Sequence, residues 1–368
     1  MKYFGNLLKN IDKTLLVLPL CFAVISIIMI GSTAYDGEFI FNKDIMVQIT
    51  AYILGTLALG FILFWDYKSF ETVEKILYIG SILFLLTVYI PGLGVSHFGA
   101  RSWVNLGIID MQPSELVKIS FVLAYAAYLS RNKNGLSTYK GVGLAFLYAS
   151  PILLIILKED LGSAIVVLVM IIAMVFYAGI DAGIFAKISG VVVLTIPIMY
   201  RFMASHQKDR IDAFLHPDNV LLPGNYQVWN SKVAIGSGGL FGKGLFQGTQ
   251  KELKFLPVQK SDFIFSVIVE ELGMIGGAVV IALYTFFLYK IIKIADNAKD
   301  LYGALIVVGL FAMFAFQIFE NIAMSMGIMP VTGITLPFIS YGGSSVVANL
   351  IALGLILNVG IRSKTINF

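Results

Sequence analysis

About ten stretches of this chain are apolar over nearly the length needed to cross a bilayer, and that constrains its architecture before any motif is read. They lie near residues 14–33, 46–64, 75–91, 114–130, 141–157, 163–179, 183–203, 263–289, 301–326 and 345–361. In hydrocarbon, lipid-facing backbone must be satisfied internally, and helices of about 20 residues achieve this. Only 13% of the 368 residues are charged and 58% are apolar, where a soluble domain carries about 25% charged residues. A soluble globular enzyme is excluded. The expectation is an all-α polytopic membrane protein, with residues 1–368 forming a single integral membrane domain. The spans at 263–289 and 301–326 are long enough to tilt or protrude.

Orientation follows from the cations in short loops. Starting from a cytoplasmic N-terminus, the inner segments hold Lys2, Lys9, Lys13, Lys68, Lys75, Arg131, Lys133, Lys140, Lys187, Lys290, Lys293, Lys299, Arg362 and Lys364. The short outer loops hold only Lys43, Arg101 and Lys158. Positive residues stay inside, so both termini are expected in the cytoplasm. The net charge of +4 is an orientation signal, and no nucleic-acid partner is expected. Lys2, Lys9 and Lys13 precede an apolar run without a small-residue cleavage site, which reads as an uncleaved first span. The single cysteine, Cys21, excludes an intramolecular disulfide.

That orientation gathers the irregular segments on the outer face: residues 92–113, a large extracellular loop at 204–262, and 327–344. Most connections run about 4–6 residues, and a loop as long as 204–262 is usually functional or disordered. Its apolar and glycine content predicts a folded cap lying on the membrane. The run Ile235-Gly236-Ser237-Gly238-Gly239-Leu240-Phe241-Gly242-Lys243-Gly244 predicts close backbone packing. Segment 327–344 carries Pro330, Gly333, Pro337, Gly342 and Gly343, too broken for a straight span, and is expected to re-enter the bilayer against protein. Irregular segments crowd into the second half, without the paired broken helices of an inverted-repeat transporter.

Asp262 is the most informative ionisable residue, placed where the long loop rejoins the membrane. It reads as a general base whose pKa is raised by partial burial beside Phe263 and Phe265, or as a helix N-cap. Gln112-Pro113-Ser114-Glu115 and Lys118 read as a helix start, with Pro113 in the first turn and Ser114 capping. Glu115 and Lys118 are a self-neutralising pair, or Lys118 is presented to a phosphate. Arg101 and Trp103 are an interfacial anchor, or Arg101 forks onto a diphosphate. Glu159-Asp160, Glu270-Glu271 and Glu320-Asn321 are further polar groups inside or near spans, and together suggest a hydrated cavity opening outward. His97, His206 and His216 lack metal-ligand spacing, and no GxxxxGK[ST] loop is present.

Several blocks then converge: Gln112-Pro113-Ser114-Glu115 with Lys118, Asp160-Leu161-Gly162-Ser163-Ala164, Tyr226-Gln227, Gly236-Ser237-Gly238-Gly239-Leu240, Gly242-Lys243-Gly244, Phe255-Leu256-Pro257, Asp262-Phe263-Ile264-Phe265, Glu270-Glu271-Leu272-Gly273 and Leu336-Pro337-Phe338-Ile339-Ser340-Tyr341-Gly342-Gly343-Ser344-Ser345. In order and spacing they resemble the SEDS family (shape, elongation, division and sporulation) over essentially the whole chain. Pro330-Val331-Thr332-Gly333-Ile334 and Gly248-Thr249-Gln250 look more like its RodA, or elongation, branch than like FtsW. The resemblance implies a ten-span peptidoglycan glycosyltransferase that polymerises lipid II on the outer face of the cytoplasmic membrane. It implies a class B penicillin-binding protein as transpeptidase partner, and further partners in an elongation complex. Asp262 matches the family's essential aspartate, and Glu115 and Lys118 match residues of its cavity. The chain departs from many relatives at Val258, where they carry an acid, at Lys260-Ser261, where they carry His-Thr, and at Glu159, often proline. Lys260 beside Asp262 would favour the ionised carboxylate, against a raised pKa.

The mechanism expected from this resemblance is direct transfer between lipid-anchored substrates. The GlcNAc 4-hydroxyl of one lipid II attacks MurNAc C1 of a chain on undecaprenyl diphosphate, Asp262 takes the proton, and the linkage inverts from α to β-1,4. Arg101, Lys118, Arg210 and Lys243 are candidates for the diphosphate charge, and Gln112, Ser114, Glu115, Glu271, Ser340, Ser344 and Ser345 for the rest of the substrate site. Grooves between helices would hold the polyprenyl tails beside membrane lipids. No residue pattern demands a cofactor, although a divalent cation can share the charge. A lipid flippase or transporter is the main rival, and a non-catalytic scaffold a third reading.

Overall fold

A computed structural model describes residues 11–35, 41–97, 100–105, 107, 110–219, 222, 224–249 and 258–363. Lys2, Lys9, Lys364, Gly99, Gln250 and Phe255-Leu256-Pro257 lie outside this set.

The helices are α1 (Lys13–Thr33), α2 (Lys43–Phe64), α3 (Tyr67–Thr72), α4 (Glu74–Leu86), α5 (Pro113–Arg131), α6 (Tyr139–Glu159) and α7 (Leu161–Tyr177). They continue with α8 (Ala182–Phe202), α9 (Ser205–Leu215), α10 (Asn225–Gly238), α11 (Ile264–Asp296), α12 (Leu301–Ser325) and α13 (Gly343–Ser363). Every one of the expected spans falls on a helix. Six of them, α1, α2, α6, α11, α12 and α13, are long and apolar enough to cross a membrane by length and composition. The starts follow local chemistry: Asp12, Asn42, Asp160 and Asp300 each accept a backbone N–H of the first turn, which that turn cannot satisfy itself.

Burial sorts these helices into a centre and a rim. Helices α12 and α13 are 78% buried over their apolar windows, whereas α2 and α6 are 28% buried and turn most of that surface outward. Outward apolar surface is what a helix facing lipid requires. Helix α2 packs on α13 through small residues, with Gly55 against Leu350 and Gly354 against Leu59.

Two expectations need correction. The chain is not purely α-helical: three short strands form an antiparallel sheet ordered β1 (Gly94–His97), β2 (Ala100–Asn105), β3 (Asp110–Met111). Val95 pairs with Trp103 and Val104 with Met111, and such β-branched and aromatic residues suit a pleated surface. The segment 204–262, expected as a loop folded into a cap, is more regular than a loop, since α9 and α10 are both built from it.

Segment 327–342 is irregular, and its stretch 336–340 packs inward. Phe338, with φ +66°, stacks on Phe22 and Phe314 and meets Phe287 edge-on. Tyr52 Oη donates to the Phe338 carbonyl and Tyr284 Oη to that of Pro337. Non-helical backbone inside a helical bundle needs such partners. These tyrosines let a proline- and glycine-broken segment lie there.

The glycine run 236–244 meets α11 where that helix breaks, at Gly273 (φ +72°, ψ −174°). Across the break, Met274 N–H donates to Gly239 O at 2.9 Å, while Lys243 N–H and Gly244 N–H donate to Glu270 O and Glu271 O at 3.0 Å. A Cβ on Gly273 would fall 2.3 Å from Leu240 O, and one on Gly242 would fall 2.1 Å from Glu271 O. Main chain therefore lies directly on main chain, the close packing expected of this run.

Candidate active site

Asp262 sits in the turn 258–263, entered through Val258 at φ +56°. Helix α11 begins two residues later, with Phe263 as its cap residue and no side-chain cap bond. Asp262 is therefore not the N-cap, and its carboxylate is left for other work. The turn is held by its backbone. Asn321 Nδ2 donates to Asp262 O at 2.9 Å and to Ile334 O at 2.8 Å, so one buried amide ties the turn to the 327–342 segment. Ser340 Oγ donates to Ser261 O and accepts from Leu336 N–H. Tyr341 N–H donates to Lys260 O at 2.9 Å. Gln48 Nε2 reaches Ser340 O at 3.0 Å.

The carboxyl of Asp262 is pushed up to about 6, first by burial, opposed by a hydrogen bond from Ser261 and the charge of Arg210, and reinforced by the charge of Asp160. Lys260 does not hold it down. Its ammonium pairs with Asp44 at 2.6 Å and lies 4.5 Å over the Tyr341 ring, which resolves the conflict posed by its place in the sequence.

Asp262 lines a cavity of about 360 Å³. One wall is α9 and the residues after it, with Asp209, Arg210, Ala213, Phe214 and Pro217. A second is α10, with Gln227, Val228, Trp229 and Lys232, and the third is Gly327, Met329, Pro330, Val331 and Gly333. A Cβ on Gly333, where φ is +77°, would lie 3.6 Å from Asp262 Oδ2. Arg210 Nη1 donates to Thr332 O at 2.7 Å, and Thr332 Oγ1 donates to buried Glu320 at 3.0 Å. The guanidinium is thus oriented from behind through Thr332.

Of the other anticipated residues, most lie elsewhere. Gln112 Nε2 donates to Asp160 at 3.0 Å, and Ser163 Oγ to the same carboxylate at 2.6 Å. Ser114 and Asp160 border a smaller recess of about 20 Å³. Gln112, not Ser114, is the cap residue of α5, with Pro113 in its first turn. Lys118 and Glu115 form a sealed ion pair at 2.7 Å, 1% and 7% exposed, so Lys118 is not presented to a phosphate in the Asp262 cavity. Lys243 is paired with Glu270 at 2.7 Å, and Glu271 receives Ser32 Oγ and Phe246 N–H. Both fasten the glycine run and are absent from the cavity wall. Ser345 bonds Thr335 at 3.0 Å, Ser340 holds the Asp262 turn, and Ser344 is partly exposed at the start of α13. Of Arg101 only its place in β2 is described. Among the described residues no group of three or more His, Cys, Asp or Glu is placed to hold a metal ion.

Sequence reasoning missed Lys232 and Trp229, whose i, i+3 spacing inside a polar loop gave no signal until α10 was recognised as a helix. It noted Asn321 only as a buried polar residue.

Comparison with known proteins bears on what this cavity is. Residues 11–365 match the model of the FTSW_RODA_SPOVE cell cycle protein family. The chain is 36% identical to stage V sporulation protein E of Bacillus subtilis, over 96% of this chain and 98% of that protein. It is 35% identical to a probable peptidoglycan glycosyltransferase FtsW of Geobacter metallireducens, over 97% of each. A solved structure described as the structural coordination of polymerization and crosslinking by a peptidoglycan synthase complex superposes with a TM-score of 0.81 at 28% identity, covering 96% of this chain and 98% of that one. With a family match along nearly its whole length and relatives of equal extent, the chain belongs to the FtsW/RodA/SpoVE family, the SEDS proteins.

Proposed function

We infer that this protein is a peptidoglycan glycosyltransferase acting on lipid II-linked precursors, with Asp262 as its general base. The observation that carries the assignment of the base is the place of Asp262, free of helix capping, on the wall of a cavity that also holds Arg210; burial there pushes its carboxyl up to about 6. At neutral pH such a group is mostly ionised and still basic enough to take a hydroxyl proton, assistance worth on the order of 10²–10⁴-fold. In the reaction the acceptor GlcNAc 4-oxygen bonds to MurNAc C1, the C1–O bond to the diphosphate breaks, and the proton passes to Asp262. The electron pair leaves with undecaprenyl diphosphate. Arg210, held by Thr332 O beside Asp262, orients the carboxylate and the approaching sugar. Asp160, Gln112 and Ser114 form the flank of the site.

The topology that fits this chemistry has ten crossings, cytoplasmic termini, and α9, α10 and segment 327–342 on the outer side. A transpeptidase partner is supported by the likeness to the chain from a peptidoglycan synthase complex. Assignment to the elongation branch rests on the 330–334 and 248–250 runs, since the sporulation and FtsW relatives are nearly equal in identity. The flippase reading loses its main support, because Glu115 and Lys118 neutralise each other in a sealed site rather than lining a path.

The test is polymer formation from purified lipid II by the protein co-purified with a transpeptidase-dead class B partner. Wild type should yield glycan strands and a folded Asp262→Asn variant none. Equal polymer from both would remove Asp262 from the mechanism.

A further inference from the structure

The cavity holds a second cation whose position answers a question that Arg210 leaves open. Lys232 lies one turn after Trp229 on α10, and both line the cavity. Its side chain runs over Gly327, where φ is +73°. A Cβ there would fall 2.3 Å from Lys232 Cε and 2.7 Å from its Nζ, so any side chain at 327 would push against the ammonium. Lys232 is exposed to the cavity, and among the described residues its ammonium has no ion-pair or hydrogen-bond partner. By contrast, the Lys118 and Lys243 ammonium groups are each neutralised by a glutamate.

Inversion imposes geometry on these charges. The attacking and departing oxygens occupy opposite sides of the anomeric carbon, so the base and the group that receives the leaving diphosphate must face each other across the sugar. Arg210 is on the side of the base: it holds Thr332 O, and the next residue, Gly333, faces Asp262 Oδ2. Lys232 is a cation of the same cavity that lies over Gly327, at the other end of the 327–333 wall from Gly333 and Asp262.

We propose that Lys232 binds the leaving diphosphate of the donor, across the cavity from Asp262. This rests on the glycosyltransferase reading above. As the C1–O bond breaks, the diphosphate gains one unit of negative charge with the departing electron pair, and an unpaired ammonium facing it stabilises that charge most where it is developing. The same ammonium would retain the product until undecaprenyl diphosphate escapes along the membrane.

The test uses the protein co-purified with its transpeptidase-dead partner and compares Lys232→Met, Lys232→Arg and Lys208→Met. Lys208 is on α9 but does not line the cavity, and its replacement controls for the general charge of this region. With lipid II as substrate, Lys232→Met should lower the polymerisation rate by roughly 10–100-fold, while Lys232→Arg stays within about fivefold and Lys208→Met is unchanged. Added undecaprenyl diphosphate should inhibit Lys232→Met about tenfold less strongly than wild type. Stem-peptide carboxylates are the other anionic oxygens of this substrate, and lipid II with an amidated stem separates them. An unchanged Lys232→Met defect on that substrate supports the diphosphate, and a defect that disappears overturns the proposal. Wild-type rate and product inhibition in Lys232→Met would overturn it too, with the glycosyltransferase reading intact. Absence of polymer from wild type would instead remove the reading on which it rests.

Discussion

Acidification is the most direct probe of Asp262, because its altered ionisation can be read as a rate. Burial lifts the carboxyl to about 6 from 3.8, and only the ionised form can accept the acceptor's proton. The sign follows: the base is present above the folded-state pKa and is lost as pH falls through it. About nine-tenths of the enzyme carries the base at pH 7, about half at pH 6 and about one-tenth at pH 5. An ordinary aspartate would still be more than about 90% ionised at pH 5. Initial rates of glycan polymerisation at subsaturating lipid II should therefore drop about tenfold between pH 7 and pH 5, with unit slope below the midpoint. Arg210 opposes the rise, so Arg210→Gln should move the midpoint upward and leave the enzyme weaker at pH 6.5 than its plateau activity predicts. A wild-type midpoint near 4, or a midpoint in Arg210→Gln equal to that of wild type, would refute the account of burial and charge given for this carboxyl.

Three further outcomes follow from contacts elsewhere. Gly273→Ala places a Cβ 2.3 Å from a carbonyl oxygen at a left-handed position, and should lower stability in detergent by upwards of ~2 kcal/mol; an unchanged thermal midpoint would contradict it. Glu115→Gln or Lys118→Met alone strands a buried charge and should destabilise by about 3–5 kcal/mol, whereas the double replacement recovers most of the loss, as thermal unfolding of all three variants would reveal. Asn321→Ala frees the backbone of Asp262 and Ile334 and should reduce kcat by roughly 10²-fold with KM nearly constant. A rise in KM at constant kcat would assign Asn321 to substrate binding instead.

The helices were legible because hydropathy along the chain reports the solvent each segment faces, and each apolar run became a helix. The site was legible only where local sequence carries chemistry. Asp262 stood out as a carboxylate at a membrane boundary, yet its freedom from capping depends on Asn321 and Ser340, about 60 and 80 residues away in the chain. Charges were harder to assign. Lys118, Lys243 and Lys260 look alike in sequence, and only their partners Glu115, Glu270 and Asp44 reveal that each is neutralised. Lys232 was invisible for the complementary reason, because what distinguishes it is an empty Cβ position at Gly327. The small sheet was missed because its strands are too short for alternation to register.

The seam between the glycine run and the broken helix bears on how this protein can be recombined with its relatives. A side chain introduced at Gly238, Gly242 or Gly273 would meet backbone atoms, and backbone cannot be trimmed by a second substitution. No compensating mutation across the seam is available, so these positions must be inherited together. A chimera that exchanges the outer segment between family members therefore needs its junctions before residue 236 and after residue 275, carrying both edges as one unit. Junctions placed inside that interval would join two backbones that were never shaped for each other.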